Sequence, residues 1–215
     1  MFDEGNTKSN RNVYSFRLRS KVDGKDVAPF FEVSTPDEAG QWNKLDKQIK
    51  NITGKLIQVK TKEDVWEGAP QRTFNIRLED EEGLYLVNLG YTKLGRSLAN
   101  SFLALQDLET PIQISVYVNK NNKTGASVRQ NGEMIGWKFS GEDLPRPTSV
   151  TLRGQEVYDY SNVEVFLEQE LNGFAEYNGL TESARKSTSK SANKDHSAPD
   201  RNDTVLVEED EDDLF

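Results

Sequence analysis

Cysteine is absent from the 215 residues. Disulfides and thiolate chemistry are therefore excluded, and the composition fits a reducing cytoplasm, the expected location. Histidine occurs once, at His196 in a polar stretch near the end, which leaves no fixed imidazole base and no histidine-rich metal site. No apolar run reaches the roughly 18 residues that a membrane helix needs, so no membrane association is expected. The opening Met1-Phe2-Asp3-Glu4-Gly5 lacks the basic and apolar regions of a signal peptide. Neither a phosphate-cradling G-x-x-x-x-G-K-[ST] loop nor a zinc-binding H-E-x-x-H pair occurs. The acids Glu79, Asp80, Glu81 and Glu82 lack the ligand spacing of a calcium loop and read as a solvated turn. From these absences no catalytic residue, metal or cofactor is expected, and the chain reads as a binding protein rather than an enzyme.

Apolar residues are scarce as well, at 34% against 29% charged, so part of the chain cannot offset the cost of ordering itself. Residues 181–203 are mainly Ser, Lys, Asn, Asp and Ala and read as a disordered linker. The end is more distinctive: Glu208, Glu209, Asp210, Glu211, Asp212 and Asp213 precede Leu214 and Phe215. A terminal carboxylate beside an aromatic ring suits a basic pocket on a partner. The six acids suit a cationic groove on the protein's own body, at a local concentration raised by the tether. The expected division is a folded body over 1–180 and a flexible acidic tail over 181–215.

A net charge of −9 argues at first against nucleic acid. Its distribution argues otherwise. Residues 40–140 hold 14 Lys and Arg against 11 Asp and Glu, whereas residues 181–215 hold 5 against 10. An acidic total conceals a mildly basic middle.

The body reads mostly as strands. Tyr14, Phe16 and Leu18 alternate with Ser15, Arg17 and Arg19, and a turn at Asp23-Gly24 leads into a returning strand, Val27 to Val33. A short helix is expected around Trp42 and Leu45. Strands follow at Leu56 to Lys62 and at Arg72 to Leu78, separated by a loop with Gly68 and Pro70, and then at Leu84 to Tyr91. Lys93 to Leu108 has helical spacing, with Leu94, Leu98, Phe102 and Leu105 on one face and Thr110-Pro111 as the stop. Ile112 to Val118 alternates again. Asn131-Gly132 joins the strands Ala126 to Gln130 and Glu133 to Phe139 as a hairpin. Pro145 and Pro147 mark a linker. Ser161 with Glu164 forms a capping-box pattern before an apolar stripe that ends near Asn178-Gly179.

The fold class expected is all-β with minor α. Three strands, a helix and two strands over about 54–140 match a five-stranded antiparallel barrel with one helix between strands 3 and 4, the OB-fold. The N-terminal hairpin and the helix after Ser161 are extensions.

Sequence-tolerant binding of a single strand needs a cationic groove for the backbone and exposed rings on which bases stack. Alternation places Lys60 and Lys62 opposite Ile57 and Val59, Arg77 opposite Phe74, Ile76 and Leu78, and Tyr117 opposite the β-branched residues of its strand. Trp66, Arg72, Lys120, Lys123 and Arg129 fringe that surface from loops, and Lys138 sits on the last strand. Tyr117 is the strongest stacking candidate. Trp137, between Ile135 and Phe139 at period two, reads as core, and Trp66 serves equally as a lid on one mouth of the barrel.

With these parts the chain resembles the single-stranded DNA-binding proteins of bacteria and their phages. The matching segments are Leu56 to Phe139, by element order, and Glu208 to Phe215, whose Asp-Asp-Leu-Phe ending differs from the bacterial Asp-Asp-Ile-Pro-Phe and lies closer to the looser phage form. The resemblance implies protection of single-stranded DNA in phage replication, recombination and repair. It also implies tail contacts to polymerase, primase-helicase or nuclease partners. The competing reading is a protein-interaction adaptor that uses the acidic tail and binds no nucleic acid.

Overall fold

Strands dominate the structure, a computed structural model that describes residues 12–22, 25–66, 69–90, 92–152 and 155–181. In chain order they are β1 (Asn12–Val22), β2 (Lys25–Pro36), β3 (Trp42–Ile49), β4 (Asn51–Trp66), β5 (Ala69–Glu79) and β6 (Gly83–Asn88). Helix α1 (Lys93–Phe102) follows, then β7 (Ile112–Val118), β8 (Thr124–Gln130), β9 (Glu133–Ile135), β10 (Thr148–Leu152), β11 (Gln155–Asp159) and α2 (Ser161–Tyr177). Among the described residues nine strands join in one mixed sheet, ordered β3-β2-β1-β6-β5-β4-β7-β8-β9, and β10 pairs with β11 alone. The acidic tail and the Asp23-Gly24 turn lie outside the described residues.

Period-two alternation produces this sheet directly. Phe16 and Leu18 of β1, Phe31 and Val33 of β2, Phe74, Ile76 and Leu78 of β5, and Ile112, Ile114 and Val116 of β7 all enter one core. The helices cover it with Leu94, Leu98 and Phe102 from α1 and Val163, Leu167 and Leu171 from α2. α1 ends six residues earlier than its spacing suggests, yet Leu105 stays buried because single turn bonds carry the chain on from Ser101 and Phe102. At its start, Thr92 accepts the Gly95 N–H at 3.1 Å. Gly95 is required there: a Cβ would lie 2.1 Å from the Gly90 carbonyl oxygen.

Five departures from the sequence reading have physical causes. The expected barrel is not closed. β1 runs parallel to β6 from Asn12↔Gly83 to Arg17↔Asn88, so the edge of β6 on which a fifth strand would close is already taken. The segment around Trp42 is a strand, not a helix. Leu45 and Ile49 are four apart, a spacing that suits both periods, but as a strand β3 pairs with the edge of β2 and sends Trp42 to the face opposite Leu45. The strand expected to run to Phe139 stops at Ile135, because Asn100 of α1 captures the next segment. Its amide donates to the Phe139 carbonyl and accepts the Phe139 N–H, both at 2.9 Å.

The capping box does not form. Ser161 instead donates to Asp159 at 2.6 Å, and Glu164 turns to Arg96 at 2.7 Å, since a charge-assisted bond outcompetes a neutral cap. The end of α2 is as expected, with Gly179 at φ 66° and Leu180 N–H on the Ala175 carbonyl. Finally, the stretch holding Pro145 and Pro147 is not a free linker but one wall of a cleft, and it leads into the β10–β11 hairpin.

Candidate nucleic-acid interface

Three adjoining clefts gather most of the cations and exposed rings. The first, about 500 Å³, lies on the sheet face turned away from α2. That face is set by alternation in β4: Thr61 bonds Asn172 of α2 at 3.1 Å, so its neighbours Lys60 and Lys62 point the other way. The register places Gln58 beside Arg77 and Lys60 beside Asn75. Lys60, Lys62 and Arg77, three of the expected groups, thus share one concavity, with the 48% exposed Trp42 on its wall.

The second cleft, about 700 Å³, holds Arg17, Arg19, Lys21, Arg72 and Lys93 and shares Thr73 and Asn88 with the first. Three of its cations are engaged, Lys21 by an exposed pair with Asp26 at 3.6 Å. Arg19 bonds Glu32 at 3.1 Å, and Arg72 meets Glu168 of α2 at 3.5 Å. Lys44 reaches Glu32 at 2.7 Å, and this bond, with Arg19, holds the Glu32 carboxyl below its ordinary value against the opposing effect of burial.

The third cleft, about 530 Å³, shares Lys93 with the second. α1, β7, β8 and the 137–147 segment enclose it, and Tyr117, Lys123, Trp137, Arg146 and Tyr160 line it. Tyr117 is 40% exposed and lies across Gly125, its partner in register. A Cβ on Gly125 would sit 2.5 Å from the tyrosine ring, so glycine is what lets the ring lie flat on the backbone. Gly125→Ala is expected to leave the protein folded while tilting this ring, seen as a shift of the Tyr117 ring resonances in NMR.

Trp137 is 64% exposed, not core. The Asn100 clamp that ends β9 breaks the alternation on which the core reading rested, and the indole N–H donates to Ser97 at 3.2 Å, holding the ring at the cleft wall. Arg96 stands 4.3 Å over the Tyr160 ring while bonding Glu164. Burial pushes the Glu164 carboxyl up, and the Arg96 bond and charge offset only part of that.

The expected groups do not all converge. Tyr117 and Lys123 lie in the third cleft, apart from Lys60, Lys62 and Arg77 in the first. Lys120 is exposed in the β7–β8 turn, Arg129 donates to the Gly132 carbonyl of its own turn at 3.1 Å, and Lys138 is exposed beside Trp137. None of these three lines the clefts described above. The backbone of Trp66 pairs with Ala69, but its side chain is outside the described residues, as are Glu208 to Phe215. Sequence reasoning missed Trp42, Lys93, Arg96 and Arg146. Arg17 is legible in the β1 alternation, between Phe16 and Leu18, and joins the site through the second cleft.

Among the described residues no group of His, Cys, Asp and Glu is placed to hold a metal ion, and no helix is long and apolar enough to cross a membrane. Comparison with protein-family models, curated proteins and solved structures gives no match to the chain.

Proposed function

We propose that the protein binds single-stranded DNA without strong sequence preference, as a protective and recruiting factor in replication, recombination and repair. The observation that carries this reading is the run of adjoining clefts. Cations lie along it from Lys60 to Lys123, a tryptophan stands at one end, and Tyr117 and Trp137 stand at the other. Cations neutralise phosphates, and anchored rings stack bases of any identity, which is the combination a sequence-tolerant single-strand binder requires. The order strand-strand-strand-helix-strand-strand from β4 to β8 supports an OB-like core, opened where β1 occupies the edge of β6. In this reading the terminal acids and Phe215 engage replication proteins such as a polymerase, primase-helicase or nuclease, in the cytoplasm of the cell or of a phage's host.

A gel-shift titration of single strands against duplex at two salt concentrations tests the proposal. Tight, salt-sensitive binding of the single strand is expected. The variant carrying Lys60→Glu and Arg77→Glu is expected to lower the slope of log affinity against log salt by about 1.4, since each lost phosphate contact on a single strand removes about 0.7. An adaptor that ignores nucleic acid would show neither the shift nor the change of slope.

A further inference from the structure

We infer that the first cleft is a nucleobase pocket, in which the side-chain amide of Gln58 pairs with the edge of a base from the bound strand. This deepens the single-strand reading and rests on it. Gln58 is 2% exposed, and its side chain makes no hydrogen bond to any described residue. Buried polar side chains are nearly always paired, so an unpaired one inside a cleft points to an occupant. Nearby amides are already committed. Asn88 donates to Asn75, and Asn75 donates to Thr73, each at 3.0 Å. Of these three amides Gln58 alone makes no side-chain hydrogen bond to a described residue.

The chemistry selects the occupant. The floor of the cleft offers an N–H and a C=O side by side. A phosphodiester has no hydrogen to give the carbonyl and would face it oxygen to oxygen, so phosphate does not belong at the floor. A base edge carries a donor next to an acceptor: the N6 amino group and N7 of adenine, the N4 amino group and N3 of cytosine, N3–H and O4 of thymine, N1–H and O6 of guanine. By turning half a revolution, the amide matches any of them, which keeps recognition tolerant of sequence. The rest of the cleft fits the rest of a nucleotide. Trp42 supplies a ring face at the wall, Lys60 and Arg77 supply positive charge for the flanking phosphates, and about 500 Å³ is ample for one nucleotide.

The test uses the full chain with Gln58→Leu, and Gln58→Met as a second variant of similar volume. Each is titrated by fluorescence anisotropy with a labelled dT strand and with the same strand made abasic throughout. Both variants are expected to bind the dT strand about 5- to 100-fold more weakly than the parent, with an unchanged salt slope. On the abasic strand they are expected to match the parent, because no base edge is left to lose. Their melting temperatures are expected to equal or exceed that of the parent, since an unpaired buried amide has been removed. Equal affinity of parent and variants for dT overturns the inference, as does an equal weakening on both strands, which would mark Gln58 as a structural residue. If the parent binds neither strand, the single-strand reading itself fails, a result distinct from the other two.

Discussion

Replacing Tyr117 and Trp137 together with alanine is expected to weaken binding of a labelled oligo-dT by about 2–6 kcal/mol, since one stacked base contributes about 1–3 kcal/mol. In dissociation constants that is a loss of roughly 30-fold or more. Both rings are held in place before any ligand arrives. Tyr117 rests on Gly125 across the β7–β8 ladder, and Trp137 is tied by its indole N–H to Ser97 and by the Asn100 clamp next to it in the chain. Little side-chain entropy is therefore lost on binding, and the stacking energy reaches affinity almost undiminished. Both residues are well exposed, so their removal costs little stability. The salt slope should not move, because no phosphate contact is touched. Anisotropy titrations at three salt concentrations would decide it. A double variant that binds within about twofold of the parent would remove the third cleft from the proposed path.

The second large effect concerns stability. Phe31→Ala is expected to cost about 3–5 kcal/mol, the range for an aromatic truncated inside a packed core. For a chain of this size that lowers the melting temperature by about 6–20 °C, at roughly 2–4 °C per kcal/mol. Phe31 is on β2 and is 0% exposed. The sequence reading sets the β1–β2 hairpin outside the barrel core, as an extension that either lengthens the sheet or braces one mouth of the barrel. The structure makes it structural: Phe16, Leu18, Phe31 and Val33 join the same core as Phe74, Leu98 and Leu167. A hairpin that merely leaned on the body would let Phe31→Ala pass with a small change, and a thermal melt followed by circular dichroism distinguishes the two.

What was legible beforehand followed from periodicity. β1, β2, β5, β6, β7, the face of α1 and the stripe of α2 were all readable from spacing alone, and so was the Asn131-Gly132 turn, where both residues take positive φ. What was not legible depended on contacts distant in sequence. The exposure of Trp137 follows from one amide, Asn100, whose partner lies 39 residues away. The open sheet follows from the parallel union of β1 with β6, which no local pattern announces. The capping pattern at Ser161 failed for the same reason, because Arg96 on another helix claimed Glu164. By contrast the β10–β11 hairpin was within reach: Val150 and Leu152 alternate with polar residues before Arg153-Gly154, and Val157 continues the alternation after it. The basic side of the site was readable strand by strand, but the grouping of its residues into separate clefts required the register.

The parallel ladder between β1 and β6 also governs the order in which the molecule can assemble. A ribosome makes β1 first, yet its neighbour across the ladder emerges about 70 residues later. The β1–β2 and β5–β6 hairpins are short-range and form quickly, whereas their union must close a long loop before any contact compensates for the lost chain entropy. Until then the apolar side of β1, with Phe16 and Leu18, has no core to enter. Refolding should therefore show a slow step in which two preformed halves meet, and mutations along the Asn12–Arg17 seam should change the rate of that step more than those within either hairpin.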